Sequence, residues 1–311
     1  MNNNTITKLQ AGLGKAVTYF ILLSCLAIFA IYLIQRFGTS YAEEKIQEQL
    51  TQSGLAPFVH YESIHLDPFT LTPSLENISF GNENAPWLRF ARISFNSYPI
   101  NYPDLNVDFW IKESPINSLS RETRHIMRAM GIDTLLGKGS FSSNVEGENV
   151  SSQFKLDIKD IGKFDVSSKV DILDRSIDMS DLRSDILASF ALGQPEALPI
   201  IYGDAIELHA LDMRFAESGL FAHLFPQASS LQGQEEQILL ELKQFSQTLG
   251  LAPANSTEAT VIAKTLQAFL KQPEQLTLNL SPSSPISLKE LTLMASQDTL
   301  YKDSNMKLSN N

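Results

Sequence analysis

The sequence predicts an α+β protein: an N-terminal transmembrane helix, then a mainly antiparallel β-sheet body with several packed helices. Three observations predict it. An uncharged apolar run lies near the N-terminus, apolar and polar residues alternate through much of the chain after Pro57, and segments of helical period end at glycine or proline. The 311 residues suit about two domains, or one large β-rich domain. With 43% hydrophobic and 19% charged residues the chain builds a real core, which excludes wholesale disorder. A net charge of −11 argues against a general nucleic-acid binder, which needs a dense basic surface. The lone Cys25 excludes an internal disulfide and any cysteine-based zinc site.

The apolar run is Ala16 to Ile34, nineteen residues without a charge, and at 1.5 Å rise per residue it covers roughly 28 Å, enough to cross a bilayer. Lys15 and Arg36 bracket it, and Tyr19 and Tyr32 lie near its ends, where an aromatic belt places them. Lys8 and Lys15 before the span are balanced by Arg36 and Lys45 after it. A short tail without an acidic residue ahead of a long body still reads as a signal anchor. The expected division is a cytoplasmic tail at 1–15, an anchor at 16–35, a juxtamembrane linker at 36–56 and an extracytoplasmic body at 57–311. Ser40-Tyr41-Ala42 offers a small-x-small cleavage site, but the run exceeds the usual signal-peptide length, so retention is the expectation. The apolar residues after Cys25 also count against a lipobox reading of Leu22-Leu23-Ser24-Cys25.

Ile46 and Leu50, four apart, suit a helix that continues beyond the membrane. Strands are then expected at Phe58 to Leu66, Leu75 to Phe80, Trp87 to Phe95 and Asp104 to Lys112, the last with Leu105, Val107, Phe109 and Ile111 on one face. The clearest alternation is Val150 to Ile158 and Phe164 to Ile172, a hairpin turning at Gly162. Ala205 to Phe215 changes phase near His209 and Ala210, which predicts a bulge. Gln275 to Leu280, Ile286 to Met294 and Leu300 to Leu308 complete the strands. Helices are expected at Pro115 to Met130, Asp181 to Leu192, Gln234 to Leu249 and Thr257 to Lys271, the last two forming an αα-hairpin at about 234–271. Ser74 to Phe80 and Ser287 to Leu293 share a Ser-Leu-polar-polar-aliphatic pattern, which would mark either a repeated strand unit or chance.

Four segments carry a resemblance: His60-Tyr61-Glu62-Ser63-Ile64-His65-Leu66-Asp67-Pro68-Phe69, Leu75-Glu76-Asn77-Ile78-Ser79-Phe80, Trp87-Leu88-Arg89-Phe90-Ala91-Arg92-Ile93-Ser94-Phe95 and Leu105-Asn106-Val107-Asp108-Phe109-Trp110. With the anchor before them, they resemble the opening of AsmA-like bacterial envelope proteins over about a third of the chain. The resemblance implies a curved antiparallel sheet on the periplasmic side of the inner (cytoplasmic) membrane. In larger family members the apolar inner face of such a sheet shields lipid chains crossing the periplasm. This chain is short and carries four helical segments, so a lipid role would be that of a carrier, a module of a larger complex or a regulator.

Motifs for chemistry fail on spacing. Gly131 to Ser140 has five residues between its first glycines and Gly139 where a phosphate loop needs Ser or Thr, so it reads as a helix cap and turn. His60 and His65 fall on opposite faces of one expected strand, and there is no His-Glu-x-x-His pair or Gly-x-Ser-x-Gly elbow. No catalytic residue, metal or cofactor is assigned, and the expected function is non-enzymatic.

Two candidate surfaces remain. Leu105, Val107, Phe109, Phe154, Leu156, Phe164 and Val166 would line a lipid groove if open, or form core if the αα-hairpin covers them. Arg121, Arg124 and Arg128 make a basic stripe beside His125, either a contact for lipid phosphates or an acidic partner, or a solvated face paired to nearby carboxylates. The expected partners are the membrane, a phospholipid and other envelope proteins, with no nucleic acid. The leading expectation is lipid binding, transport or envelope assembly; the alternative is an interaction scaffold of an inner-membrane complex.

Overall fold

The computed structural model describes residues 3–52, 54–96, 102–191, 194, 196–221 and 235–310, with backbone alone at 3–22 and 190–191. Helix α1 (Asn3–Gln52) is continuous, and its described part is long and apolar enough to cross a membrane. Leu23, Leu26, Ile28 and Phe29 lie exposed on it, as lipid-facing residues would. Residues 36–52, expected as a linker, are its C-terminal part. There Ala42 and Ile46 are buried, Ile46 against Leu75 and Ile78, and Gly38 passes so close to Leu66 that a Cβ would overlap that side chain.

The body is one large curved antiparallel sheet flanked by helices. Its path runs β1 (Val59–His60), β3 (Thr72–Asn82), β4 (Ala85–Asn96), β5 (Leu105–Pro115), β6 (Thr134–Glu146), β7 (Asn149–Ile158), β8 (Gly162–Ile172), β9 (Ile206–Glu217), β10 (Gln275–Leu280) and β12 (Met306–Asn310). Short β2 (Ser63–Asp67) joins β3, and β11 (Ile286–Ser287) joins β9. The single strand expected over Phe58 to Leu66 is thus two, and His60 and His65 sit on different ones, opposite Ser79 and Ser74.

The expected hairpin forms in full register, Phe154 opposite Val166 and Leu156 opposite Phe164. The phase change in β9 is a bulge: Lys169 pairs with Ala210 and Val170 with Leu208, leaving His209 as the extra residue. Its ring Nε2 lies 2.6 Å from Asp171 Oδ2, and that hydrogen bond, ahead of one from Asn149, lowers the Asp171 pKa.

The helices are α2 (Arg121–Ala129), α3 (Met179–Ala191), α4 (Ala197–Tyr202), α5 (Glu235–Thr248), α6 (Thr257–Lys271), α7 (Leu288–Ser296) and α8 (Leu300–Asp303). Ser256 caps α6 by accepting from Ala259 N. On α5 Phe245 is half-exposed, as is Leu249 just past its end, and Ser246 is the fully buried residue.

Three expectations are corrected. Thr134 to Glu146 is a central strand, so Gly137 and Gly139 belong to a sheet and not to a cap and turn; Gly131, at φ 70°, is the cap of α2. A Cβ at Gly139 would overlap the Lys155 carbonyl oxygen and the Phe109 ring, which is why glycine stands in this strand. Ile286 to Met294 is two strand residues and then α7, begun by a capping box between Ser287 and Glu290. Its likeness to Ser74 to Phe80 is therefore chance. Finally, β5 runs on to Pro115 and a short 3₁₀ turn intervenes before Ser120 caps α2, so the expected helix from Pro115 loses its first turns.

Candidate functional site

Strand pleating sends alternate side chains to one face, and the pairing registers carry that face across the whole sheet. One row reads Phe95, Val107, Phe141, Phe154, Val166, Met213, Leu278 and Leu308, each opposite the next. The next row toward the α2 end includes Ile93, Phe109, Gly139, Leu156, Phe164, Phe215 and Leu276. The opposite face is polar along its length, with rows such as Asp108, Ser140, Lys155, Asp165 and Arg214.

Helices seal the apolar face at its margins. The C-terminal part of α1 covers Leu75 and Ile78, and α2 brings Met127 onto Ile111, Leu135 and Ile161. Helices α3 and α4 bring Leu182 and Tyr202 onto Val150, Ile172 and Ile206. Leu291 of α7, Leu300 and Tyr301 of α8 pack around Leu208, Leu280 and Met306, while Phe269 of α6 meets Phe215 edge-on at 6.2 Å.

The middle differs. Val107, Phe141, Phe154 and Val166 are half-buried and Met213 is 42% exposed. Among the described residues, none of these five packs into a helix-covered cluster. Phe154 stacks instead on Phe109, 6.1 Å between ring centroids.

The structure therefore divides the expected groove residues. Phe109, Leu156 and Phe164 lean on the core beneath α2, Val107, Phe154 and Val166 form the half-exposed centre, and Leu105 stands opposite Ser143 one row toward the α3 end. The αα-hairpin reaches Phe215 and Leu308, and among the described residues no core cluster joins it to the β7–β8 strands, which would have been core had it covered them. Phe141 and Met213 belong to the centre and were missed in the sequence, Phe141 because its strand was.

The row beside the centre, toward α3, is Leu105, Ser143, Ser152, Ser168 and Leu211. Arg183 of α3 reaches this edge, donating from Nη2 to Ser143 Oγ at 3.1 Å and to the Pro103 carbonyl at 2.6 Å. Nothing in its surroundings in sequence announces that contact. Asp178, just ahead of α3, accepts from Tyr102 OH at 2.8 Å. Its pKa is lowered, first by the Ser180 hydroxyl and then by Tyr102. Tyr202 OH donates to Asp185 at 2.5 Å, and burial, then that carboxylate, pushes the phenol up to about 12. These bonds fix α3 and α4 over one end of the sheet and α3 to the β4–β5 connection.

The polar face holds a cavity of about 560 Å³. Its lining includes two rows of that face, Asn96, Asn106, Ser142, Gln153 and Ser167, and Asn144 with Ser151, and also Leu105, Ser143, Ser152 and Ser168 of the row beside the apolar centre.

The arginines lie elsewhere. On α2, Met127 is buried, while Arg121 and Arg128 are exposed and Arg124 half-buried. Among the described residues no ion pair involves any of the three. Thr123 ties the helix to the Trp87 carbonyl at the start of β4, whereas α1 passes Leu66, opposite Pro73 of β3, near the far end of β4. The eight residue steps from Trp87 to Phe95 span roughly 27 Å, well beyond a Debye length of about 8 Å at physiological salt. The stripe thus stands remote from the bilayer that α1 would cross.

Residues 155–311 match the sequence model of a family described as "Uncharacterized protein". The match spans just over half of the chain. The chain belongs to that family. The matched part holds the last four residues of β7, all of β8 to β12 and helices α3 to α8, and with them Val166, Met213, Leu278 and Leu308 of the apolar row. Among curated proteins none matches the chain.

Proposed function

We propose that this protein is a non-enzymatic envelope protein, anchored by α1 in the inner membrane with its body in the periplasm, that holds lipid acyl chains on the open centre of its apolar sheet face. The observation that carries this reading is the row Val107, Phe141, Phe154, Val166 and Met213, in register on five strands with no described helix upon it. Four strand spacings make about 19 Å, a length suited to a fatty acyl chain, and each methylene taken out of water there contributes about 0.8 kcal/mol. Polar groups at Ser152 and Ser168, with Arg183 bonded to the buried Ser143, border the row on one side, where a headgroup would lie. The resemblance to AsmA-like proteins supports the same reading, with this chain as a carrier or a module in lipid transport or envelope assembly.

The test is native mass spectrometry of the full chain released from detergent micelles. Phospholipid at a fixed ratio, lost when Phe154 and Val166 are both changed to Asn in a protein that stays folded, is the expected result. A folded wild-type chain without such lipid, or lipid equally retained by the double variant, contradicts it. A second reading, an interaction scaffold of an inner-membrane complex, is favoured by the arginine stripe of α2, which forms no close ion pair among the described residues, although Glu122 lies within electrostatic reach of Arg121 and Arg124. A lipid-free wild type would transfer weight to it.

A further inference from the structure

The end of the sheet on which α3 and α4 sit carries an exposed apolar patch. Ile200 and Ile201 of α4 are 83% and 59% exposed, Leu187 of α3 54%, and Leu173, just past β8, 45%. Leu182 and Tyr202 on the same two helices are buried against the sheet, so the exposed residues point away from the core. In the sequence, Ile186 to Ile201 contains a single charged residue, Glu196. Isolated exposed aliphatics need no explanation, but a group this close in the chain marks a contact surface.

Its place in the fold says what it contacts. Gly38 of α1 touches Leu66 only two residues after Arg36, which closes the apolar run, so the body begins within about 3 Å of helix rise of the span's end. From that level the β4–β5 connection is held to α3 by Tyr102 on Asp178 and by Arg183 on the Pro103 carbonyl, and α4 packs on α3 through Tyr202 and Asp185. The patch and the exit of α1 thus share one end of the sheet.

We propose that α3 and α4 rest on the bilayer that α1 crosses, with Leu187, Ile200 and Ile201 dipping into its interface. The body is then seated on the membrane at two points, and the serine-bordered edge of the apolar face stands next to the lipid surface. Exposed Asp181, Glu196 and Asp204 lie near the patch in the chain, Asp204 paired with Lys289 at 3.0 Å and Arg175 near Leu173 paired with Glu148, so the surrounding charge is mixed and the contact is apolar without a need for anionic lipid. This inference rests on α1 as a membrane span and is independent of whether the open centre of the sheet holds lipid.

The experiment uses the full chain with Cys25→Ser and a single new cysteine, either Ile201→Cys on α4 or Ile126→Cys, exposed on α2 at the far end. Each is labelled with a polarity-sensitive dye and reconstituted into phosphatidylcholine vesicles carrying shallow doxyl-labelled lipid. The dye at 201 should be blue-shifted and quenched several-fold more than that at 126, and Ile200→Asp with Leu187→Asp should abolish the difference while the chain stays folded. Equal quenching at the two sites overturns the proposal. So does a dye at 201 shielded from both doxyl lipid and aqueous iodide, which would mean a protein partner or a second copy. Alkaline carbonate extraction checks α1 separately: a chain that washes off the vesicles overturns the span and the proposal together.

Discussion

The apolar face of the sheet has the same chemistry at its margins and at its centre, yet the two are treated differently. At the margins Leu75, Ile111, Val150 and Leu280 are 3–5% exposed beneath helices. At the centre Phe141, Phe154 and Val166, on the same face and in register with one another, are half-buried and Met213 is 42% exposed. Alternation in a strand tells which side of the sheet is apolar, and only the placement of helices tells whether that side is core. Among the described residues the apolar face is sealed at its rim and uncovered in the middle, which is the form of a binding surface.

Stability measurements separate the two regions. Met127→Ala, under α2, should cost about 2–5 kcal/mol, the range for emptying a packed site. Val166→Ala, at the centre, removes a side chain that is only partly buried and should cost about 1 kcal/mol or less. Thermal unfolding of the full chain in detergent reads both, and equal losses would erase the distinction. Between them falls Gly139→Ala, expected to cost about 1–3 kcal/mol because its methyl meets the Lys155 carbonyl and the Phe109 ring.

Two titrating groups probe the α3–α4 margin. The Asp178 pKa is depressed, so its contribution is present above the ordinary carboxylate range and is lost as pH falls through the native value. Acidification should speed pepsin cleavage in α3, and Asp178→Asn should flatten that dependence. Tyr202 has the opposite sign: its raised pKa gives stability below pH 10 that fades as pH climbs toward 12, a loss absent in Tyr202→Phe. The smallest effect is expected from changing the exposed Arg121 and Arg128 together to Gln, within about 0.5 kcal/mol of the wild type. A larger destabilisation would show that the stripe is part of the packing.

The sequence made some of this legible and hid the rest for physical reasons. Helix α6 was readable end to end because Ser256 caps it and Pro273 follows, and the β9 bulge because His209 breaks a strict alternation. Strand β6 was hidden because the large Phe109 ring lies over Gly139, leaving Gly137, Gly139 and a run of serines that look like a turn. Helix α7 was misread because Ile286 to Leu293 alternates briefly; the Ser287–Glu290 capping box was the local signal that should have decided it. The candidate centre was half visible: Val107, Phe154 and Val166 alternate plainly, but their exposure depends on where distant helices settle. Arg183 on Pro103 joins residues eighty positions apart, which no local pattern encodes.

The central claim is that the apolar centre meets lipid and the polar side of the same strand does not. Phe154 and Gln153 are neighbours in β7 that point to opposite faces, so a photo-crosslinking benzophenone amino acid at each, in the full chain within native membranes, tests it directly. The account predicts lipid adducts at 154 and none at 153. Protein adducts alone at 154, or lipid at both positions alike, would contradict it.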